Sequence, residues 1–109
     1  MNIENTKAQM RKGILDYCIL EILSKKHSYA PDIINELKKA NLIVVEGTLY
    51  PLLTRLKNIG VLNYRWEESL QGPLRKYYEL TETGHKALSE LEISWSEILN
   101  AVETIKKSK

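Results

Sequence analysis

The sequence predicts a mainly α fold with a small β-hairpin, and three observations carry that prediction. Apolar residues recur at helical spacing in four separate stretches. Two β-rich runs, 61–68 and 74–80, flank Ser69-Leu70-Gln71-Gly72-Pro73, whose Gly-Pro pair marks a turn. In the last stretch Leu88, Trp95 and Val102 fall seven apart, as do Leu91, Ile98 and Ile105, and together they interleave into an a/d heptad seam.

At 109 residues the chain is one unit by length. It can bury only a modest core, and small domains leave surface that a second copy can cover. With 43% apolar and 28% charged residues it reads as an ordinary soluble globular protein. Phe is absent, so Leu, Ile, Tyr and Trp must supply the bulk of the core. A net charge of +2 does not announce a nucleic-acid binder, but its distribution is uneven. Residues 1–80 hold 12 basic and 9 acidic side chains (+3), and residues 81–109 hold 4 and 5 (−1).

The single cysteine, Cys18, rules out an internal disulfide and every multi-cysteine metal pattern. Among Ile14, Leu15, Ile19 and Ile22 it reads as a buried small apolar residue. No apolar run approaches the roughly 18 residues of a spanning helix. The first seven residues lack the apolar region of a signal peptide. The expectation is a cytoplasmic chain with no membrane partner.

Taken in order, residues 1–7 are polar and read as frayed. From about Ala8 to Lys25 the apolar positions Met10, Ile14, Leu15, Cys18, Ile19, Ile22 and Leu23 form a broad helical face, widened by Tyr17 and Leu20. A helix apolar over this much of its circumference is buried on several sides or shared with a partner. Pro31 suits the first turn of a second helix and Asp32 the positive end of its dipole. Ile33, Ile34 and Leu37 make its inner face, and it ends near Ala40-Asn41. The apolar run Leu42 to Val45 is too short for a helix and reads as a short strand.

A third helix follows from Glu46 and stops at Gly60, a natural C′ residue. Pro51 cannot donate to the Gly47 carbonyl, so a distorted N-terminal turn is expected there. The hairpin comes next, and Thr81 then stands as an N-cap for a final helix reaching about Ile105. Its seam is shorter than the roughly three to four heptads of a self-sufficient coiled coil, so it should pair with something wider, the first helix being the candidate. Helix, helix, strand, helix, hairpin is the order of a winged helix-turn-helix, here with a C-terminal dimerisation helix. The expected division is a DNA-binding region over 1–80, its first helix shared with the dimer interface, and a dimerisation helix over 81–109.

The third helix carries the chemistry. Leu49, Leu52, Leu53 and Leu56 make one apolar stripe, and the opposite face carries Thr48, Tyr50, Pro51, Thr54, Arg55 and Asn58. Thr48 and Tyr50 can donate to phosphate, Thr54 and Asn58 can pair with base edges, and Arg55 can do either. An ordinary solvated helix face has the same composition, and only the surrounding fold separates the two readings. Arg75 and Lys76 alternate across the second β-run, so only one can point the same way as the helix. Lys7, Arg11 and Lys12 either add flanking phosphate contacts or begin a solvated helix.

These residues resemble the PadR family of bacterial transcriptional regulators from about Met10 to the end. The most specific block runs from Glu46-Gly47-Thr48-Leu49-Tyr50-Pro51-Leu52-Leu53 through Arg55-Leu56 to Gly60-Val61-Leu62. Beside it stand Arg75-Lys76-Tyr77-Tyr78 with Leu80-Thr81-Glu82-Thr83-Gly84, and the early Gly13-Ile14-Leu15 and Tyr29-Ala30-Pro31-Asp32-Ile33-Ile34. The resemblance implies insertion of the third helix into the major groove of double-stranded DNA. It also implies a homodimer built through the first and last helices. Two departures stand out. Val45-Glu46 replace the family's usual Ser or Asn with Pro, which leaves the third helix without a side-chain N-cap at a cost of about 1 kcal/mol unless Thr48 substitutes. At the hairpin tip Gln71 and Leu74 replace a glycine and an arginine.

The expected dimer interface comprises Ile14, Cys18, Leu88, Leu91, Trp95, Ile98, Val102 and Ile105. Two readings stand for Trp95. Either it fills the dimer core, or it stacks on a planar apolar effector in a central pocket lined by Leu15, Ile98 and Leu99. His27 and His85 are isolated, and no nucleophile–base pair, phosphate-cradling loop or paired-carboxylate site occurs. The chain is therefore not expected to be an enzyme, nor to need a cofactor or metal. The expected function is a dimeric repressor on a pseudo-palindromic promoter site, released by a small hydrophobic or aromatic ligand. The alternative is a winged-helix module that binds a protein and no DNA.

Overall fold

A computed structural model describes residues 1–70 and 72–109. Its elements are α1 (Ile3–Lys25), α2 (Ala30–Lys39), α3 (Glu46–Asn58), β1 (Leu62–Ser69), β2 (Gly72–Leu80) and α4 (Glu82–Lys107). This is the mainly helical winged-helix order with one antiparallel hairpin.

The first helix starts earlier than the frayed end expected over residues 1–7. Asn2 caps it, its side chain accepting from the Asn5 amide at 3.1 Å. Satisfying one of the orphan amides of the first turn extends the helix back to Ile3. In α2, Pro31 stands within the first turn, where its missing N–H costs nothing. Asn41 then takes a left-handed backbone conformation, φ 64°, and turns the chain away.

The strand expected over Leu42–Val45 does not form. Leu42 and Val44 point inward while Ile43 and Val45 face out, as in a strand, but the segment joins no ladder. The free edge of β2 is met by Ser28, which exchanges two backbone hydrogen bonds with Tyr78, at 3.1 and 2.8 Å.

Helix α3 runs on through Pro51, whose ring lies inside the helix and leaves the Gly47 carbonyl without its usual donor. Val45 supplies no side-chain cap, as its identity requires, and none is made in its place. Gly60, φ 88°, ends this segment in the left-handed region that glycine adopts without strain. The hairpin pairs Leu62 with Leu80 through Glu67 with Arg75, and the register shifts between Glu67 and Ser69. Gln71 lies outside the described residues.

The core joins Ile19, Leu20 and Leu23 of α1, Ile33 and Leu37 of α2, and Leu49, Leu53 and Leu56 of α3. Leu62 and Tyr78 of the hairpin close it, with Leu88 of α4. It therefore seats α3 by one face only. Thr81 locks α4 to this body: its hydroxyl accepts from the Gly84 amide at 3.0 Å and donates to the Gly60 carbonyl at 2.6 Å. Replacing it with alanine removes both bonds. Thr81→Ala should cost about 1–2 kcal/mol in urea unfolding, with Thr81→Ser close to the parent.

Beyond Trp95, α4 leaves the body. The molecule measures 59 × 31 × 23 Å with a radius of gyration of 16.0 Å, against about 13 Å for a compact chain of this length.

Candidate nucleic-acid interface

Leu49, Leu53 and Leu56 are buried at 0–3% exposure, which fixes the rotation of α3. At about 100° per residue, Thr54 and Asn58 then lie directly opposite the core. Tyr50 and Lys57 fall on the hairpin side, and Thr48 and Arg55 on the α1 side. All six α3 residues singled out from the sequence are exposed, Tyr50 at 43%. The helix thus presents hydroxyls, an amide and a phenol on a surface that none of the described residues covers.

The two flanks differ electrostatically. On the hairpin side, Lys57 lies 5.5 Å and Lys76 4.0 Å from the centre of the Tyr64 ring, so two cations from different elements meet at one aromatic ring. Such contacts hold an ammonium group in place while leaving it able to meet an anion. Tyr64 is itself fixed by Tyr78, ring centres 5.9 Å apart. Arg75 goes to the other face of the hairpin, 4.8 Å over the Tyr29 ring at the N-cap of α2. Of the two β2 cations, Lys76 accompanies α3 and Arg75 does not.

On the α1 side, Arg55 is paired with Asp16. It reaches the α3 polar face with a counter-ion already attached. Both side chains are partly exposed, so the pair itself is worth no more than about 1 kcal/mol. Asp16 Oδ1, by contrast, is buried with no hydrogen-bond partner among the described residues.

Two participants escaped sequence reasoning. Lys57 stands seven residues after Tyr50, and that spacing on one flank was the available signal. Asp16 lies 39 residues before Arg55, and no local pattern links them.

Around α4, Leu88 is 7% exposed, but Ile98, Val102 and Ile105 further along the same seam are 53%, 45% and 72% exposed. Trp95 is half-buried and lines a groove of about 470 Å³ with Ile14, Tyr17, Cys18 and Ile22 of α1. Burial pushes the Cys18 thiol up, with the Glu21 charge adding to it, so Cys18 stays a neutral thiol. Leu15 does not join this groove; it is buried and lines the one between α1 and α3. Within one chain, therefore, Trp95 and Leu15 are not brought together. No helix among the described residues is long and apolar enough to cross a membrane, and no group of His, Cys, Asp or Glu among them could hold a metal ion.

Comparison with known proteins gives a consistent result. Residues 19–90 match the model of the transcriptional regulator PadR-like family. A PadR-like transcription factor from Bacteroides fragilis is 61% identical, covers 93% of this chain and 98% of its own, and superposes with a TM-score of 0.78. A PadR-like transcriptional regulator from Bacillus cereus is 34% identical over 93% of this chain and 99% of its own, TM-score 0.84. A Streptococcus transcriptional regulator is 31% identical over 91% and 98%, TM-score 0.83. These relatives are regulators of transcription, not enzymes.

Proposed function

The chain belongs to the PadR-like family of transcriptional regulators, and from that premise we propose that it acts as a homodimeric repressor reading DNA with α3. The observation that carries this reading is the exposed polar face of α3, held opposite three fully seated leucines and flanked by Lys57 and Lys76. Thr54 and Asn58, at the centre of that face, meet base edges; Tyr50 and the two lysines meet phosphate. Arg55 and Arg75 take supporting phosphate contacts from the margins.

The dimer follows from the bare half of the α4 seam. Burying an aliphatic side chain is worth about 1.5–3 kcal/mol, so Ile98, Leu99, Val102 and Ile105 represent a large gain left unrealised in one chain. A second copy with the same stripe satisfies it, and α1 offers Ile14 and Cys18 beside Trp95. Two α3 helices related by a twofold axis then read half-sites about one helical turn, ~34 Å, apart. A small hydrophobic or aromatic effector stacking on Trp95 lowers DNA affinity by favouring a spacing of the reading helices that DNA does not.

The test starts from DNA selected by the purified protein from a random pool. Tyr50→Ala should weaken binding to that DNA about tenfold, roughly 1.4 kcal/mol, with an unchanged melting temperature. Unchanged affinity in a gel-shift titration removes the reading head from this helix.

A further inference from the structure

The cations beside the polar face of α3 are held in two different ways. Lys57 and Lys76 lie against the Tyr64 ring, a contact that leaves their charge undiminished. Arg55 instead donates from Nη2 to Asp16 Oδ2, a carboxylate that α1 brings from 39 residues away. An open groove of about 700 Å³ parts the two helices here, and Arg55 lines it. The pair is therefore a brace across a gap. It starts from a fixed point, because buried Leu15, Ile19 and Leu20 set the rotation of α1. It does little for stability, since the Arg55 and Asp16 side chains are 49% and 34% exposed. Asp16 Oδ1 is also buried with no hydrogen-bond partner among the described residues, a feature that stability alone does not explain.

We propose that Asp16 is a positioning residue that sets DNA specificity: it fixes the guanidinium of Arg55 so that α3 distinguishes its own site from other DNA. The inference rests on the reading of α3 proposed above. A free Arg55 would reach for any phosphate within its length, and that attraction is the same on every sequence. Asp16 alters this in two respects. Its charge offsets part of the guanidinium's, which lowers the attraction to phosphate at arbitrary registers. Its hydrogen bond holds the planar fork in one orientation before DNA arrives, so less freedom is lost when a matching phosphate is met. Such a phosphate is matched when Thr54 and Asn58 also meet their base edges. A phosphate contact ordinarily fixes register without carrying sequence information. Here the carboxylate behind it makes that contact selective.

The test compares binding of the full chain to its selected DNA and to a scrambled duplex of the same composition, by fluorescence anisotropy. Asp16→Asn should weaken binding to the selected DNA about threefold, as expected when one long side chain must be ordered on binding. It should tighten binding to the scrambled duplex about threefold, so the specificity ratio falls roughly tenfold. The salt slope on the scrambled duplex should rise by up to about one. Asp16→Glu should restore most of the ratio, and in an Arg55→Gln background Asp16→Asn should change neither affinity. Without DNA, ¹⁵N relaxation should show the Arg55 Nε–H rigid in the parent and mobile in Asp16→Asn, with unchanged melting temperatures. An unaltered ratio, the same loss in the Arg55→Gln background, or a mobile Arg55 in the parent would each overturn the proposal. A parent that binds neither duplex overturns the reading of α3 as well; a parent that binds its DNA while Asp16→Asn is indifferent overturns this inference alone.

Discussion

Gly84→Ala is expected to cost at least about 3 kcal/mol, the top of the usual range for overpacking. Gly84 is buried in the first turns of α4, where the helix crosses the chain at Val61. A Cβ built there stands 2.1 Å from the Val61 carbonyl oxygen and 3.1 Å from its carbon. The obstacle is backbone, so no side chain can rotate out of the way. That same carbonyl accepts from the Thr81 amide at 3.2 Å, and Thr81 in turn caps α4. Moving α4 off Val61 therefore breaks the cap, the link to Gly60 and the cover over Leu88 together. At roughly 4–8 °C per kcal/mol for a domain of this size, thermal unfolding should show a loss of more than about 12 °C. Gly13→Ala provides the contrast. It sits within α1 with nothing inside 4 Å of its built Cβ, so alanine there should gain up to about 1 kcal/mol from helix propensity. A Gly84→Ala protein that melts with the parent would show that α4 does not bear on Val61.

Trp95→Asp should convert the proposed dimer to monomer. Trp95 is half-buried in a single chain and lies midway along the seam, between Leu88, which the body covers, and Val102, which it does not. Truncating a central interface tryptophan typically costs about 2–4 kcal/mol of association. A carboxylate in its place adds the desolvation of a charge. The dimer constant should therefore weaken by at least a factor of about a thousand. Trp95 stands outside the buried core cluster, so the far-ultraviolet spectrum should keep its helical signature. Sedimentation velocity separates the outcomes, and a surviving dimer refutes the heptad assignment.

What the chain reveals before folding depends on the range of the interactions involved. The α3 stripe and the Thr81 cap are local patterns, and each stands in the structure where spacing put it; the hairpin forms as well, but Ser69 ends β1 and Gly72-Pro73 open β2, so the Gly-Pro pair expected to mark the turn lies in a strand. The early start of α1 was legible too, since Asn is a favoured N-cap residue and Asn2 stands in that place, but polar composition obscured it. Leu42–Val45 has strand-like alternation but lies beside α1 and α3 and joins no ladder among the described residues, and nothing near residue 42 reports that. The Asp16–Arg55 pair and the convergence of Lys57 and Lys76 on Tyr64 depend on packing between distant elements. A net charge of +2 conceals this local arrangement completely. The alternation rule did separate Arg75 from Lys76, but only the position of α3 decides which of them joins it.

The central claim is that α3 is a DNA-reading surface rather than a docking face for another protein. It is tested most directly by the salt dependence of binding to the selected DNA. A protein contacting about six to ten phosphates should lose roughly 10³–10⁵ in affinity between about 50 and 200 mM salt, with a linear log–log plot. Lys57→Gln and Lys76→Gln should each lower the slope by about one. A flat salt response, or slopes indifferent to both lysines, would contradict the account and leave a winged-helix module that recognises protein.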